Sequence, residues 1–352
     1  MAYETEWPPG LIPPDEPIYG LPPDEYQPIA TYSLGALAEG HDWSHDFLGI
    51  PELHAKGFLG AGVLVCVVDT GVDYEHEDLA GQVLKELCKD FTGSQFGFKD
   101  VQGHGTWCSA AIGAAQNEKG LRGVAPACRL MHAKALNDSG SGASRWIADA
   151  IRHGADSGAD IISLSLGGPG AATVTRQAVQ YAISKGCWVF CAAGNDGKPA
   201  NNYPGHFPES IAVAAVDKNG QRASFSTINQ ENDAAAPGVK MTAATPGNNY
   251  SEYSGTSMAT PTLAGCAALV RAALKANGKP MPSQQGFLEA LSKTCKDIAP
   301  AGKDQNTGWG VPDTKALLQH YGVWAAPPPP PPDEIVIRLK KGQTARIERD
   351  ES

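Results

Sequence analysis

Residues 62–69 read GVLVCVVD, an almost continuous apolar run that ends in an aspartate. Three more runs of this kind follow, at 160–166 (DIISLSL), 188–193 (WVFCAA) and 210–216 (SIAVAAV). Strands that are apolar on both faces are typical of parallel sheets covered by helices. A segment with a helical pattern, 144–153, lies between two of these runs. The sequence therefore predicts an α/β fold with a mostly parallel central sheet and helices on both faces.

Prolines divide the chain into three parts. Residues 1–45 hold many prolines, which lack the amide donor that helices and inner strands need, so we expect an extended arm there. Residues 46–323 contain the alternating strands and helices and form the predicted domain. Residues 324–352 begin with a semi-rigid polyproline linker and continue as an alternating segment that resembles a lone hairpin.

Composition bounds the partners and the compartment. The chain has 352 residues and a formal net charge of -10, so we expect neither nucleic acid nor an anionic membrane as a partner. The first twenty residues lack the basic and apolar regions of a signal peptide, and no run of 18 apolar residues predicts a membrane span. Cys66, Cys191 and Cys266 lie in apolar runs, as buried free thiols do. These features favour the cytoplasm, and a processed N-terminus would leave secretion open.

Three reactive side chains stand at the ends of apolar elements or in glycine-bounded turns. Asp69 ends the first strand, where a carboxylate is costly without a cationic partner. His104 lies between two glycines at a predicted helix start, and Ser257 precedes a helix rich in alanine. Imidazole can take the proton of a serine hydroxyl near neutral pH, and a buried carboxylate orients the ring. Asp69, His104 and Ser257 are the predicted orienting acid, general base and nucleophile.

The segments around these residues resemble the three signature segments of the subtilisin family, in that family's own Asp, His, Ser order. They read VVDTGVDYEHEDL (67–79), HGTWCSAA (104–111) and GTSMATP (255–261), and the resemblance extends over residues 46–321. It implies a serine endopeptidase of broad specificity that cleaves proteins and peptides through an acyl-enzyme. Asn195 is similar to the family's side-chain donor to the oxyanion. Cys108 resembles the free thiol of the proteinase K branch.

The resemblance also implies the residues that bind a substrate, which would add a strand between two segments of this chain. The residues so assigned are Gly140, Ser141, Gly142, Ser165, Leu166, Gly167, Ala193, Gly194 and Asn202. Asn202 and Asp196 lead us to expect a primary pocket that tolerates Lys or Arg beside apolar side chains. Ser144 stands where many family members carry a bulky aromatic, so we expect a more distant apolar pocket, with Ile147 and Leu166, to be open.

Calcium is the cofactor that the resemblance implies, since hard oxygen ligands suit this ion. The predicted tight site consists of Asp78, Ala115, Asn117, Lys119 and Leu121. The predicted weaker site consists of Glu231, Asp233 and Gly205.

The N-terminal arm suggests regulation. Residues 11–14 read LIPP and are similar to the short extension of intracellular subtilisins, which lies across the active site as a built-in inhibitor. Proline there would resist cleavage. Two alternatives to a broad endopeptidase stay open: an inactive member that serves as a peptide-binding scaffold, and a maturation peptidase or transacylase dedicated to one partner protein. The oligomeric state is left open too.

Overall fold

The computed structural model describes residues 17–21, 28–32, 39–298 and 300–324, and the backbone of 335–338 and 344–347. The helices are α1 Trp43–Leu48, α2 Ile50–Ala55, α3 His104–Gly113, α4 Ser144–Asp156, α5 Thr173–Ser184, α6 Thr256–Ala276, α7 Gln284–Thr294 and α8 Thr314–His320. The strands are β1 Ile18–Gly20, β2 Ala30–Tyr32, β3 Leu64–Asp69, β4 Lys89–Asp90, β5 Arg129–Lys134, β6 Ser141–Ala143, β7 Ile161–Leu164, β8 Trp188–Ala192, β9 Ile211–Val216, β10 Asn232–Pro237, β11 Met241–Thr245, β12 Asn249–Tyr253, β13 Cys295–Lys296, β14 Val311–Pro312, β15 Ile335–Arg338 and β16 Thr344–Ile347.

A parallel sheet with the strand order β10-β9-β8-β7-β3-β5-β4 forms the centre of the protein. Alternate residues of β3 enter two different cores. Val65 and Val67 belong to the core that also contains residues of α3 and α6, whereas Cys66 and Val68 belong to the one with residues of α4 and α5. Because successive strand residues point to opposite faces, the helices cover both sides of the sheet. This confirms the predicted α/β fold.

Helix α6 lies deep in the core. By length and composition it could cross a membrane, but 94% of its most apolar window is buried inside the protein. It is therefore a core helix. Its N-terminal end is set by Gly255, and its second residue is Ser257.

The carboxyl ends of the parallel strands bring the predicted site residues to one edge of the sheet. Asp69 is the last residue of β3, Ser165 directly follows β7, and Asn195 follows β8 by three positions. In open α/β sheets this edge is where ligands bind.

Two segments of the N-terminal arm are strands attached to the domain. β1 pairs antiparallel with β6, and β2 pairs antiparallel with β12. Residues 11–14, the predicted inhibitory segment, lie outside the described residues. In the C-terminal tail, β15 pairs antiparallel with β16. All eight cysteines, each in the described part of the chain, are free thiols.

Candidate active site

A buried carboxylate and an imidazole form the centre of the site. Oδ1 of Asp69 lies 2.7 Å from Nδ1 of His104 and also accepts a hydrogen bond from the backbone N–H of Thr70 at 2.7 Å. Both Asp69 and His104 are buried. Because the carboxylate accepts, Nδ1 carries the ring proton, and Nε2 is the basic nitrogen of the neutral ring.

Asp100 holds the beginning of helix α3 beside the end of β3. Its Oδ1 accepts from the N–H of Gly103, and its Oδ2 accepts from both the N–H and the hydroxyl of Thr106. Oδ1 also accepts from the hydroxyl of Thr70, the neighbour of Asp69. One buried carboxylate thus fixes both elements that present the site. Asp100 was not among the predicted site residues, because it stands three residues before Gly103, the N-cap of α3, and so does not carry the usual N-cap signal.

His132 supports the site from behind. Its Nε2 accepts a hydrogen bond from the N–H of Gly71 at 3.0 Å, which fixes the loop after Asp69. Burial lowers the pKa of His132 to about 3, so the ring is neutral and can accept this bond. Gly105 packs against the same loop, since a Cβ on it would lie 2.2 Å from the carbonyl oxygen of Gly71. His132 was not among the predicted site residues, because nothing near it in the chain marks a site.

Ser257 lies in the first turn of α6, and its Oγ donates to the carbonyl oxygen of Ser165 at 3.2 Å. Cys108 connects it to the imidazole: its Sγ lies 3.8 Å from both ring nitrogens of His104 and 3.7 Å from the carbonyl oxygen of Ser257. Burial and then the charge of Asp69 raise the pKa of this thiol well above its usual range. Cys108 is therefore a neutral thiol and not a nucleophile.

Asn195 is held in one orientation. Its Oδ1 accepts from the N–H and from the hydroxyl of Thr256, both at 2.9 Å. Asn195 and Ser257 line one cleft of about 370 Å³. The same cleft is lined by Leu166, Gly167, Gly194, Asn202 and Asp196.

The predicted substrate-binding segments lie on either side of residues 17–21 of the chain itself. The N–H of Gly20 donates to the carbonyl oxygen of Gly167 at 3.1 Å, and the N–H of Leu21 donates to that of Gly140 at 3.0 Å. In the β1–β6 pair, Gly20 is opposite Ser141 and Tyr19 is opposite Gly142.

Two of the predicted residues contact the interior of the domain. Ala193 is completely buried. Asn202 donates its side-chain N–H to the carbonyl oxygen of Ala192 at 2.9 Å.

Comparison with known proteins fits this geometry. The model of the subtilase family matches residues 60–310. The chain belongs to the subtilase family. Subtilisin E of Bacillus subtilis (strain 168) is 40% identical over 224 residues, which are 62% of this chain and 58% of that protein. Thermitase of Thermoactinomyces vulgaris is 42% identical over 244 residues, 69% of this chain and 84% of thermitase. An intracellular serine protease of Paenibacillus polymyxa is 41% identical over 219 residues, 60% of this chain and 67% of that protein. The matched part thus spans less than two thirds of Subtilisin E.

In this subtilase, Asp78 fits a calcium ligand. Its Oδ2 accepts from the N–H of Leu121 at 3.0 Å and from the hydroxyl of Tyr250 at 2.9 Å, while its Oδ1 is buried without a hydrogen-bond partner. Desolvation raises the pKa of this carboxyl. A buried carboxylate oxygen that no donor satisfies suits a hard cation. The other predicted ligands of the tight site, Ala115, Asn117 and Lys119, precede Leu121 in the same loop, and the N–H of Ala115 donates to the backbone oxygen of Asp78 at 2.7 Å.

The predicted weaker site does not fit a metal ion. One carboxylate oxygen of Asp233 lies 3.0 Å from Nζ of Lys303, and the other accepts from the N–H of Ala212 at 3.0 Å. An ammonium group thus already supplies the positive charge at Asp233. Gly205 packs against the backbone, because a Cβ on it would lie 2.3 Å from the carbonyl oxygen of Ala192. Glu231 lines a surface cavity that neither Asp233 nor Gly205 lines.

Proposed function

We propose that this subtilase is a serine endopeptidase that hydrolyses peptide bonds of proteins through an acyl-enzyme. The observation that carries the proposal is the buried 2.7 Å contact between Asp69 and His104, in a site that also contains Ser257. Asp69 would keep the proton on Nδ1 and stabilise the imidazolium that forms when Nε2 takes a proton. The intact set of residues argues against an inactive scaffold.

The reaction would proceed in two halves. Ser257 Oγ attacks the scissile carbonyl carbon while its proton passes to Nε2 of His104. The resulting oxyanion would be stabilised by the side-chain amide of Asn195 and the backbone N–H of Ser257. Collapse breaks the C–N bond, and His104 gives its proton to the leaving amine. Water then attacks the acyl-enzyme with His104 again as base, which releases the acid and restores Ser257.

An organophosphonate probe together with casein tests this function. We expect the probe to label Ser257 in the full chain, and the Ser257→Ala variant to lose both labelling and casein digestion. The exposed Ser184, changed to alanine, is the matched control and should alter neither. Labelling without casein digestion would favour the dedicated maturation peptidase. No labelling of the wild-type chain, and none of the chain that lacks residues 1–28, would favour the scaffold and overturn the proposal.

The substrate would bind as an extended strand between Gly140–Gly142 and Ser165–Gly167, held by backbone hydrogen bonds. Such binding is independent of side chains and supports protein and peptide substrates in general. In the primary pocket, Asn202 and Asp196 support tolerance of Lys and Arg beside apolar residues. A peptide-library profile with no cleavage after basic residues would contradict this preference.

The arm would inhibit the site in cis, and the support comes from residues 17–21. This segment makes the contacts that a substrate strand needs, to Gly167 and Gly140. The next residues in the sequence are Pro22 and Pro23, which lack an N–H. β2 then attaches the arm again, to β12. Deletion of residues 1–28 should raise the initial hydrolysis rate, and an unchanged rate in the truncated enzyme would count against inhibition in cis.

Calcium would bind at Asp78 and not at Asp233, whose charge Lys303 already neutralises. The bound ion would neutralise a buried carboxylate and tie the loop that ends at Leu121 to the domain. In the Ser257→Ala variant, which cannot digest itself, calcium should raise the melting temperature, and Asp78→Asn should abolish the rise. A rise that survives Asp78→Asn would contradict this assignment.

The cytoplasm is the compartment we propose. The support is the set of eight free cysteines and the relative that is named an intracellular serine protease. Fractionation of cells that produce the protein tests this, and recovery from the medium would contradict it.

A further inference from the structure

Tyr19 fills a closed pocket in the domain. Its side chain is 0% exposed, whereas its neighbour Ile18 is 55% exposed. Neighbouring residues of a strand point to opposite sides, so the arm directs one side chain inward and the other to solvent. Tyr19 shares a core with Leu136, Ile147 and Leu166.

The pocket also supplies hydrogen-bond partners for the hydroxyl of Tyr19. Tyr19 Oη donates to the carbonyl oxygen of Gly170 at 2.8 Å and lies 3.3 Å from the N–H of Ala172, which precedes helix α5. Burial raises the pKa of this phenol, so the hydroxyl is the form that the pocket holds. At the edge of the pocket the small, buried side chain of Ser144 leaves room for a ring, and Thr175 donates to its carbonyl oxygen at 3.2 Å.

The strand register assigns this pocket to one position of a substrate. Gly20 is paired antiparallel with Gly167. If a substrate keeps this register, its residue two places further on lies opposite Ser165, whose carbonyl oxygen accepts from Ser257 Oγ. That residue would supply the carbonyl that Ser257 attacks. The position of Tyr19 is three residues before the one whose carbonyl is attacked. A substrate side chain in this pocket would therefore belong to the fourth residue before the scissile bond.

We infer that this protease selects tyrosine at the fourth residue before the scissile bond and distinguishes it from phenylalanine by its hydroxyl. The inference rests on the proposed endopeptidase function. A pocket that places a carbonyl and an N–H at a substrate hydroxyl favours that substrate over its deoxy analogue. The preference for Tyr over Phe is modest here, because the N–H of Ala172 also donates to the carbonyl oxygen of Gly170 at 3.1 Å. These two backbone groups therefore keep a hydrogen bond when the pocket holds no phenol.

Four fluorogenic peptides of one common sequence test the inference on the full chain. Three differ only at the fourth residue before the scissile bond, which is Tyr, Phe or Ala. The fourth peptide is a matched control that carries Ala there and Tyr at the fifth position, where Ile18 of the arm is exposed to solvent. Competition by the arm lowers all four rates by the same factor, so the ratios of kcat/KM report the pocket alone.

We expect kcat/KM to be about tenfold higher for Tyr than for Phe, the net worth of one hydrogen bond. We expect kcat/KM to be at least tenfold higher for the Phe peptide than for the Ala peptide. The control peptide should have the same kcat/KM as the Ala peptide. Equal values for Tyr and Phe, or a control as fast as Tyr, would overturn the inference while leaving the endopeptidase function intact. No hydrolysis of any peptide and no phosphonate labelling, both in the full chain and after deletion of residues 1–28, would instead refute the proposed function.

The arm provides a second measurement of the same hydroxyl. Tyr19→Phe in the full chain removes the contact with Gly170 but keeps the ring, so the initial rate on the Ala peptide should rise up to tenfold. Ile18→Val is the control and should leave the rate unchanged. An unchanged rate for Tyr19→Phe would contradict recognition of the hydroxyl.

Discussion

Truncation of the buried tyrosine of the arm should activate the full-length chain. The side chain of Tyr19 is 0% exposed when the arm occupies the cleft. A buried aromatic side chain removes roughly 150–250 Å² from water, which at about 25 cal/mol per Å² corresponds to about 4–6 kcal/mol as an upper bound. Because water fills the vacated pocket in part, we take about 3 kcal/mol as the closing free energy that Tyr19→Ala loses.

A loss of about 3 kcal/mol raises the ratio of open to closed chains roughly 100-fold. The initial hydrolysis rate should rise by that factor, up to the rate of the fully open enzyme. The assay uses freshly purified full-length protein, a peptide with Ala at the fourth position, and intact mass to verify that the arm is uncut. Ile18→Ala is the matched control, because it truncates an exposed neighbour in the same strand. A rate for Tyr19→Ala that stays within twofold of Ile18→Ala would refute the reasoning.

Three further perturbations probe the site. Asn195→Ala should lower kcat by about 10²–10³ with little change in KM, which is the loss already known for this donor in the subtilisin family. The control is Asn219→Ala, which changes an exposed asparagine. An equal loss of kcat in both variants would contradict the assigned role of Asn195. Asp100→Asn should lower both the melting temperature and kcat, because an amide nitrogen replaces an oxygen that accepts hydrogen bonds. An Asp100→Asn variant with wild-type stability and activity would contradict the role of Asp100. His132, with its pKa of about 3, stays neutral in the fold while the unfolded chain takes up a proton below about pH 6.5, so it makes stability fall as the pH is lowered. In urea titrations of the Ser257→Ala protein between pH 6.5 and 5, His132→Gln should reduce this slope by up to about 1.4 kcal/mol per pH unit, and an unchanged slope would show that the imidazole is not held neutral.

Much of the site could be anticipated because its residues are marked by local patterns. Asp69 ends an apolar strand, and parallel strands bring their carboxyl ends to one edge, so the relation of Asp69 to Ser165 and Asn195 follows from the fold class. The division of alternate β3 residues between two cores likewise follows from a period of two. Asp100 and His132 could not be found in this way, since their contacts with Thr70 and Gly71 join residues 30 and 61 positions apart.

What the sequence by itself determined about this subtilase is its class of fold and the residue types of its chemistry, since both depend on periodicity and short segments. Only the tertiary structure shows that residues 17–21, in the described part of the arm, lie in the cleft. Tyr19 makes buried contacts there, and the oxygen that accepts its hydroxyl belongs to Gly170, 151 positions away in the chain. The tertiary structure likewise brings Lys303 to Asp233, 70 residues apart, and places an ammonium group beside a predicted cation ligand. Contacts of this kind depend on shape and on the pairing of charges across the fold, which no local pattern encodes.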